Sequence, residues 1–299
     1  MNIVAQNLTE GRTFGMHDVS ECGNVNEILD LLQLGDYSQE PLDHVCEGYS
    51  LIKDDYGKPL SIVSDTYDLL QPLECFSFMD AIKSNLGFEY KNAGFTHGGR
   101  RMMIVAEYGE SCVGDPKVGD VVKKRVVART SFDGTISTNI KMELYRLWCK
   151  NGCGNWITGD INIRARHSKN QRNILNDAID QATGVKNVFM NLHNDMQVMN
   201  NTKATELDMN RVADIIFPND TTRADTIKRL VKQEFHNEER GTFGKSAWDI
   251  FNAFTSYQNH IKVARDGKKA DKRENHFHSA YDPRFAKNVR KALSQAMIC

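Results

Sequence analysis

The sequence predicts an α+β protein: a twisted antiparallel sheet built from hairpins and packed with helices, followed by a helical C-terminal half. Three observations predict it. Between Tyr49 and Ile163, short runs rich in β-branched and aromatic residues alternate with turn-forming clusters. One cluster, Asp133-Gly134, lies between two strand-like runs in KKRVVARTSFDGTISTNIKMELYRLWCKNGC (123–153), among the strongest short hairpin signals. From Ser168 the apolar spacing becomes that of helices. The expected division is a loose arm over 1–23, a sheet-rich part over 24–167, and a helical part over 168–299 packed on the sheet, as two domains or one.

In order along the chain, residues 1–23 are polar and rich in Gly, Asn and Thr, hence a loose arm. Asn24 is suited to cap a helix reaching Leu34, with Val25, Ile28, Leu31 and Leu32 on its apolar side. Tyr49 to Val63 reads as a first hairpin closed by DDYGKP. Pro72 opens a helix to about Leu86, because proline suits the first helical turn. Phe88–Ala93 and Arg101–Glu107 form a second hairpin joined near His97-Gly98-Gly99, and the stretch 123–153 is the third. The helical pattern then covers 173–182, 185–199, 208–216, 222–236, 246–263 and 283–297, with Ser246 and Asp282 as caps. GKKADKREN (267–275) is a charged loop.

Loop length decides which side chains of the third hairpin share a face. A loop of Phe132, Asp133 and Gly134, with Gly134 left-handed, or a five-residue variant of equal parity, separates apolar from basic residues. Val126, Ala128, Ile136, Ile140, Met142 and Leu144 then line one face. Lys123, Arg125, Arg129, Ser137, Asn139 and Lys141 line the other, which predicts a half-buried sheet with an open basic face.

Composition narrows the function classes. A 40% hydrophobic and 26% charged chain of 299 residues is an ordinary soluble globular composition. The formal charge of −1 excludes a generic polycation, so nucleic-acid binding would need local patches. Seven widely spaced cysteines and no leading signal peptide predict reduced thiols in a cytoplasm. No apolar run approaches the roughly 20 residues that span a bilayer.

Several motifs have a structural reading that outweighs the chemical one. GTFGKS (241–246) lacks the upstream glycine and strand of a phosphate loop, and reads as a turn into a helix. Cys149 and Cys153, with His167, His276 and His278, lack the second closely spaced pair of a zinc site, so no metal and no cofactor are expected. No nucleophile signature accompanies the cysteines and histidines, so an enzyme is disfavoured but left open. Trp248, Asn252, Thr255 and Asn259 follow helical spacing, as expected of a buried hydrogen-bond network tying this helix to the sheet.

The basic positions carry more. Arg100, Arg101, Lys123, Lys124, Arg125, Arg129, Lys141, Arg146, Arg164, Arg166 and His167 cluster on or beside predicted strands, with Tyr90, Tyr145, Trp148 and Trp156 among them. Guanidinium groups neutralise phosphates, and aromatic faces stack on bases without sequence preference. These residues are the candidate single-stranded nucleic-acid surface.

The ordered motifs SIVSDTYDLLQPLECFSFMD, NAGFTHGGRRMMIVAEY, SFDGT, LWCKNGCGN, RARHS and WDIFNAFTSYQNH run from Ser61 to His260, within a likeness covering roughly Tyr49 to His260. In that order they resemble the phage/plasmid-like proteins grouped as domain of unknown function 932. Cys149 and Asn151 match the family's strand-ending pair, Arg166 and His167 its Arg-His pair, and Asn252, Thr255, Tyr257 and His260 its late helix. Cys153 has no counterpart in that pattern. The resemblance implies a mobile-element origin and a bacterial cytoplasm, and supplies no activity. Sheet-then-helix order is loosely similar to the ring-forming single-strand annealing proteins of phages, an analogy of fold alone. The expectation is a single-stranded DNA-binding protein, with strand annealing as a homo-oligomer its natural extension. Its alternatives are a protein that binds a host factor and a nucleic-acid-processing enzyme.

Overall fold

The computed structural model describes residues 15–113, 120–147, 154–181, 185–219, 221–240, 242–262 and 283–297. Its strands are β1 (Gly15–Asp18), β2 (Ser38–Pro41), β3 (Tyr49–Lys53), β4 (Pro59–Ser64), β5 (Glu89–Thr96), β6 (Arg101–Val113), β7 (Asp120–Ser131), β8 (Thr138–Leu147) and β9 (Gly154–Ala165). The helices are α1 (Val25–Leu31), α2 (Pro72–Phe76), α3 (Phe78–Leu86), α4 (Gln171–Gln181), α5 (Val185–Asn201), α6 (Glu206–Ile216), α7 (Thr222–Phe235), α8 (Ala247–Ser256) and α9 (Pro283–Ala296). One sheet has the order β1-β5-β6-β7-β8-β9, and a second has the order β2-β3-β4. Sheets first and helices after make this an α+β protein, as the sequence predicts.

The described residues divide into two compact units that interleave along the chain instead of parting at residue 168. The first draws on Met1–Tyr108, Arg125–Met142 and Ile161–Lys186, the second on Gly109–Lys124, Glu143–Asp160 and Asn187–Cys299. The physical reason is strand length. β6 to β9 run for ten to thirteen residues, so each passes from one unit into the other.

In the first unit, Asn24 caps α1 by accepting from the Glu27 N–H at 3.0 Å. The Val25 N–H donates to Asp80 of α3 at 3.0 Å, and the same carboxylate accepts from the Tyr90 hydroxyl at 2.6 Å. One acid thereby joins α1, α3 and β5. The helix expected over 72–86 divides at Ser77 into α2 and α3, yet Phe76, Phe78, Met79 and Ile82 keep one buried stripe. Gly87 ends α3 in the left-handed conformation (φ 74°).

Within the loose arm expected over 1–23, residues 15–18 form a strand, and residues 1–14 lie outside the described residues. β1 pairs antiparallel with β5, Met16 opposite Gly94, and Val19 and Cys22 are buried beyond it. Glycine at 94 is required there, because a Cβ would lie 1.9 Å from the Gly15 carbonyl oxygen.

The second unit is built on α8, all ten residues of which are buried. Ser246 caps it with Asp249 in a reciprocal box. Phe254 stacks on Phe217 at 6.2 Å and meets Phe285 of α9 at 6.5 Å. The hydrogen bonds given for this helix tie it to itself and to α7. Asn252 Nδ2 donates to the Trp248 carbonyl at 2.9 Å, and the Thr255 hydroxyl to that of Phe251 at 3.1 Å. The Ser256 hydroxyl donates to Glu234 of α7. Short polar side chains donate to their own preceding turn, while the buried Asn252 Oδ1 has no hydrogen-bond partner among the described residues.

Candidate functional site

The third hairpin organises the site. Asp133 Oδ1 accepts from the Thr135 N–H (3.0 Å) and hydroxyl (2.6 Å), the local bonding that makes aspartate a turn former. Gly134 is left-handed (φ 72°), as expected. The Ser131 hydroxyl donates to the Ile136 carbonyl at 2.7 Å and accepts from its N–H at 3.0 Å, closing the loop.

Three other segments converge on this loop. The first is the His97–Arg101 turn. The Phe132 N–H donates to the Arg100 carbonyl at 2.8 Å, and the Phe132 ring stacks on Tyr37 at 4.1 Å. Arg101 Nε donates to the Thr135 hydroxyl at 3.0 Å, while Arg100 Nε donates to the His97 carbonyl and lies 3.9 Å from Asp133. His97 takes φ 57°, a left-handed backbone that a non-glycine residue adopts at a cost.

The second is the end of β9 together with Arg166 and His167 beyond it. Arg164 Nε donates to the Ser137 hydroxyl at 2.7 Å, and His167 Nε2 donates to the Ile136 carbonyl at 2.8 Å. The third is the turn after β4, where the Tyr67 hydroxyl donates to the Ser131 carbonyl at 3.2 Å and its ring lies 4.9 Å from that of His167. Arg172 of α4 then bridges Asp68 (2.8 Å) and Glu74 (3.1 Å), fixing α4 against this turn. Three stretches far apart in sequence thus meet at one loop of the first unit.

Burial, only partly offset by the Ile136 carbonyl, holds the His167 imidazole below its ordinary range. It is a neutral donor here, its Nε2 proton committed to a carbonyl. Burial also pushes the Tyr67 hydroxyl up, so it stays protonated. Around these fixed groups stand the guanidinium groups. Arg100 and Arg101 are half-buried, whereas Arg164 and Arg166 are exposed. Arg164 uses one of its five donors on Ser137, an anchor that still leaves an arginine able to bind phosphate oxygens.

The open basic face expected along the hairpin is absent. Its parity is as predicted, for the Thr130 and Thr138 hydroxyls meet at 2.8 Å and so place even-numbered residues together. Both faces are covered, however. Lys141 is 2% exposed, and Val127, Ser131 and Asn139 on the same parity are also buried. Arg125 pairs with Glu107 of β6, Nε to Oε1 2.7 Å, with 14% and 10% of the two side chains exposed. Arg129 is half-buried. The reason lies in β6, where Met102 to Ala106 are buried without alternation, the mark of a strand covered on both faces. That uninterrupted apolar run was the signal available in the sequence.

Lys123 and Lys124 belong to the second unit, Lys123 lying 3.6 Å from Glu110. Arg146 lies on β8, its side chain outside the described residues, as are the side chains of Tyr145 and Trp156. Trp148, Cys149, Asn151, Cys153, His276 and His278 also lie outside them. Tyr90, expected near the surface as a stacking group, is 1% exposed. Among the described residues no group of three or more His, Cys, Asp or Glu could hold a metal, and no helix is long and apolar enough to cross a membrane. The GTFGKS stretch is a helix entry. The Thr242 hydroxyl donates to the Asn237 carbonyl at 3.0 Å, left-handed Gly244 packs against His236, and Ser246 caps α8.

Comparison with known proteins gives a family and nothing finer. A family model described as domain of unknown function (DUF932) matches residues 59–281. No curated protein and no solved structure matches the chain. The matched span includes the loop and the three segments that converge on it, and leaves Tyr37 outside.

Proposed function

The chain belongs to the family described as domain of unknown function (DUF932), and from that premise we propose that it is a non-enzymatic single-stranded DNA-binding protein of phage or plasmid replication or recombination. Its role there is strand annealing in the bacterial cytoplasm. The observation that carries this reading is the set of guanidinium groups, Arg100, Arg101 and Arg164, anchored by hydrogen bonds at or beside one loop, with Arg166 exposed two residues beyond Arg164. Basic groups fixed by neighbouring hydroxyls and carbonyls are preorganised for a phosphate chain.

Phe132 and Tyr37 at this loop are buried, and Tyr67 is half-buried. Contacts to the sugar-phosphate backbone therefore dominate over base stacking. Binding is then independent of sequence and steeply dependent on salt.

The test is filter binding of a labelled oligonucleotide to wild type and to Arg164→Ser/Arg166→Ser over a range of salt. Wild type binds at low salt, and the variant loses affinity with a slope shallower by about 0.7 per lost phosphate contact. No binding by wild type at low salt discards the function. Binding with an unchanged slope in the variant discards the site.

A further inference from the structure

The small sheet of the first unit has an uncovered margin. β4 closes the order β2-β3-β4 and pairs, among the described strands, with β3 alone. Tyr49 lies opposite Ser64 and Leu51 opposite Ile62, and the Asp65 N–H donates to the Gly48 carbonyl at 3.1 Å. In an antiparallel ladder such bonds recur at every second residue. Asp65, Val63 and Ser61 therefore turn their backbone groups toward β3, and Ile62 turns its own away. The Ile62 N–H has no partner among the described residues, and its carbonyl accepts there only from the neighbouring Ser61 hydroxyl, at 3.4 Å.

The same strand is open on one face. Alternation puts Val63 on the inner side, where it is buried with Ser50 and Ile52 of β3. Ile62 lies on the outer side, 61% exposed, on the face that also carries Tyr49 and Leu51. Two opposite charges stand at the ends of this margin. Lys58 and Asp65 are both exposed, and neither makes an ion pair among the described residues. Asp65 accepts from the Ser50 hydroxyl at 2.9 Å, which leaves its charge uncompensated.

We propose that β4 is a self-association edge, at which two copies of this chain pair antiparallel about a two-fold axis through Ile62. The Ile62 N–H of each copy donates to the Ile62 carbonyl of the other, and the two side chains meet on the outer face. Charge complementarity selects this occupant and this direction. Antiparallel pairing brings Lys58 of one copy beside Asp65 of the other, twice, whereas parallel pairing sets like against like. A phosphate chain would meet Asp65 as readily as Lys58, so the edge suits protein better than nucleic acid. Pro59 and the irregular register beside it end the regular stretch on one side, which confines the seam to a few residues and keeps the association reversible. The inference does not rest on the loop arginines or on DNA binding.

Sedimentation equilibrium of the full chain without nucleic acid, over a range of concentrations, tests it. Wild type should show a reversible equilibrium between monomer and dimer. Ile62→Lys, which sets two ammonium groups side by side at the axis, should raise the dissociation constant at least roughly tenfold. Lys58→Asp and Asp65→Lys should each weaken the dimer, and the two together should restore it, because the exchanged charges again face their opposites. Circular dichroism checks that the variants fold, and the charge exchange decides the matter should Ile62→Lys not fold. A monomer at every concentration, a dimer unaffected by folded Ile62→Lys, or a double exchange no tighter than the single changes overturns the proposal. So does association that appears only with an oligonucleotide present, since the copies would then meet along the strand and not at β4.

Discussion

Arg125 and Arg164 are the same side chain in one sheet, and they live in opposite surroundings. Arg125 lies in the middle stretch of β7, faces Glu107 across the strand gap and keeps 14% of its side chain exposed. Arg164, next to the end of β9, is exposed and rests on a serine. The difference teaches that strand parity assigns a residue to a face but cannot say whether that face is open. What decides is the neighbouring strand. β6 places apolar residues on both faces beside Arg125, whereas Arg164 is beside a polar loop.

The largest effect should come from emptying the interior group. Replacing Arg125, Arg129 and Lys141 together by alanine should cost on the order of 5 kcal/mol or more, through a broken ion pair and lost packing of long stems. That is enough to unfold an ordinary domain. Urea denaturation measures it, and a midpoint equal to wild type would mean that the three side chains are on an open surface after all. A single Arg125→Ala should cost about 3 kcal/mol, because Glu107 would be left largely buried without its partner. Adding Glu107→Gln to it should recover part of that loss, and a double variant no better than the single one would remove the pair as the cause.

A smaller effect separates the loop by pH. The folded state holds His167 below its unfolded value of about 6.5, so the unfolded chain binds the proton more readily. Stability is therefore fully present above pH 6.5. It declines as pH falls from there toward the folded value, and levels off below it. His167→Gln, which can keep a donor near the Ile136 carbonyl, should flatten this decline in melts taken between pH 7 and acid. An unchanged slope would assign the decline to other groups.

The smallest effect belongs to the exposed arginines. Arg164→Ser and Arg166→Ser should each change stability by no more than about 0.5 kcal/mol, the usual range for surface positions. The same variants test oligonucleotide binding, so they separate a role in holding a ligand from a role in holding the fold. A loss of several kcal/mol would move Arg164 into the interior group.

Much of this was legible in the sequence because local rules act locally. Asp133 and Gly134 made their turn, Asn24 and Ser246 capped their helices, and Pro72 opened α2. β2 was missed because Ser38–Pro41 offers no apolar alternation and ends in proline; pairing with β3 makes it a strand. β1 was missed for a similar reason, since its pairing depends on a glycine about eighty residues later. The meeting of Tyr67, Arg101, Thr135 and His167 was equally invisible. Each motif could be read in order, but no residue in one names its partner in another. The depth of Arg125 and Lys141 was the failure with a remedy at hand. Met102 to Ala106 is a run without alternation, and taking it as covered on both sides would have closed the basic face.

The glycine at position 94 has a reach beyond its own turn of backbone. β1, only four residues long, is the margin of the larger sheet, and it covers half of β5. Any side chain at 94 would push against the Gly15 carbonyl and unseat that margin. The eight-residue strand behind it would then present its backbone donors and acceptors to other molecules, the situation from which edge-to-edge aggregation starts. A substitution at 94 should therefore register less in the melting of the core than in light scattering that grows with protein concentration. The molecule's solubility is, in this sense, written partly in its smallest residue.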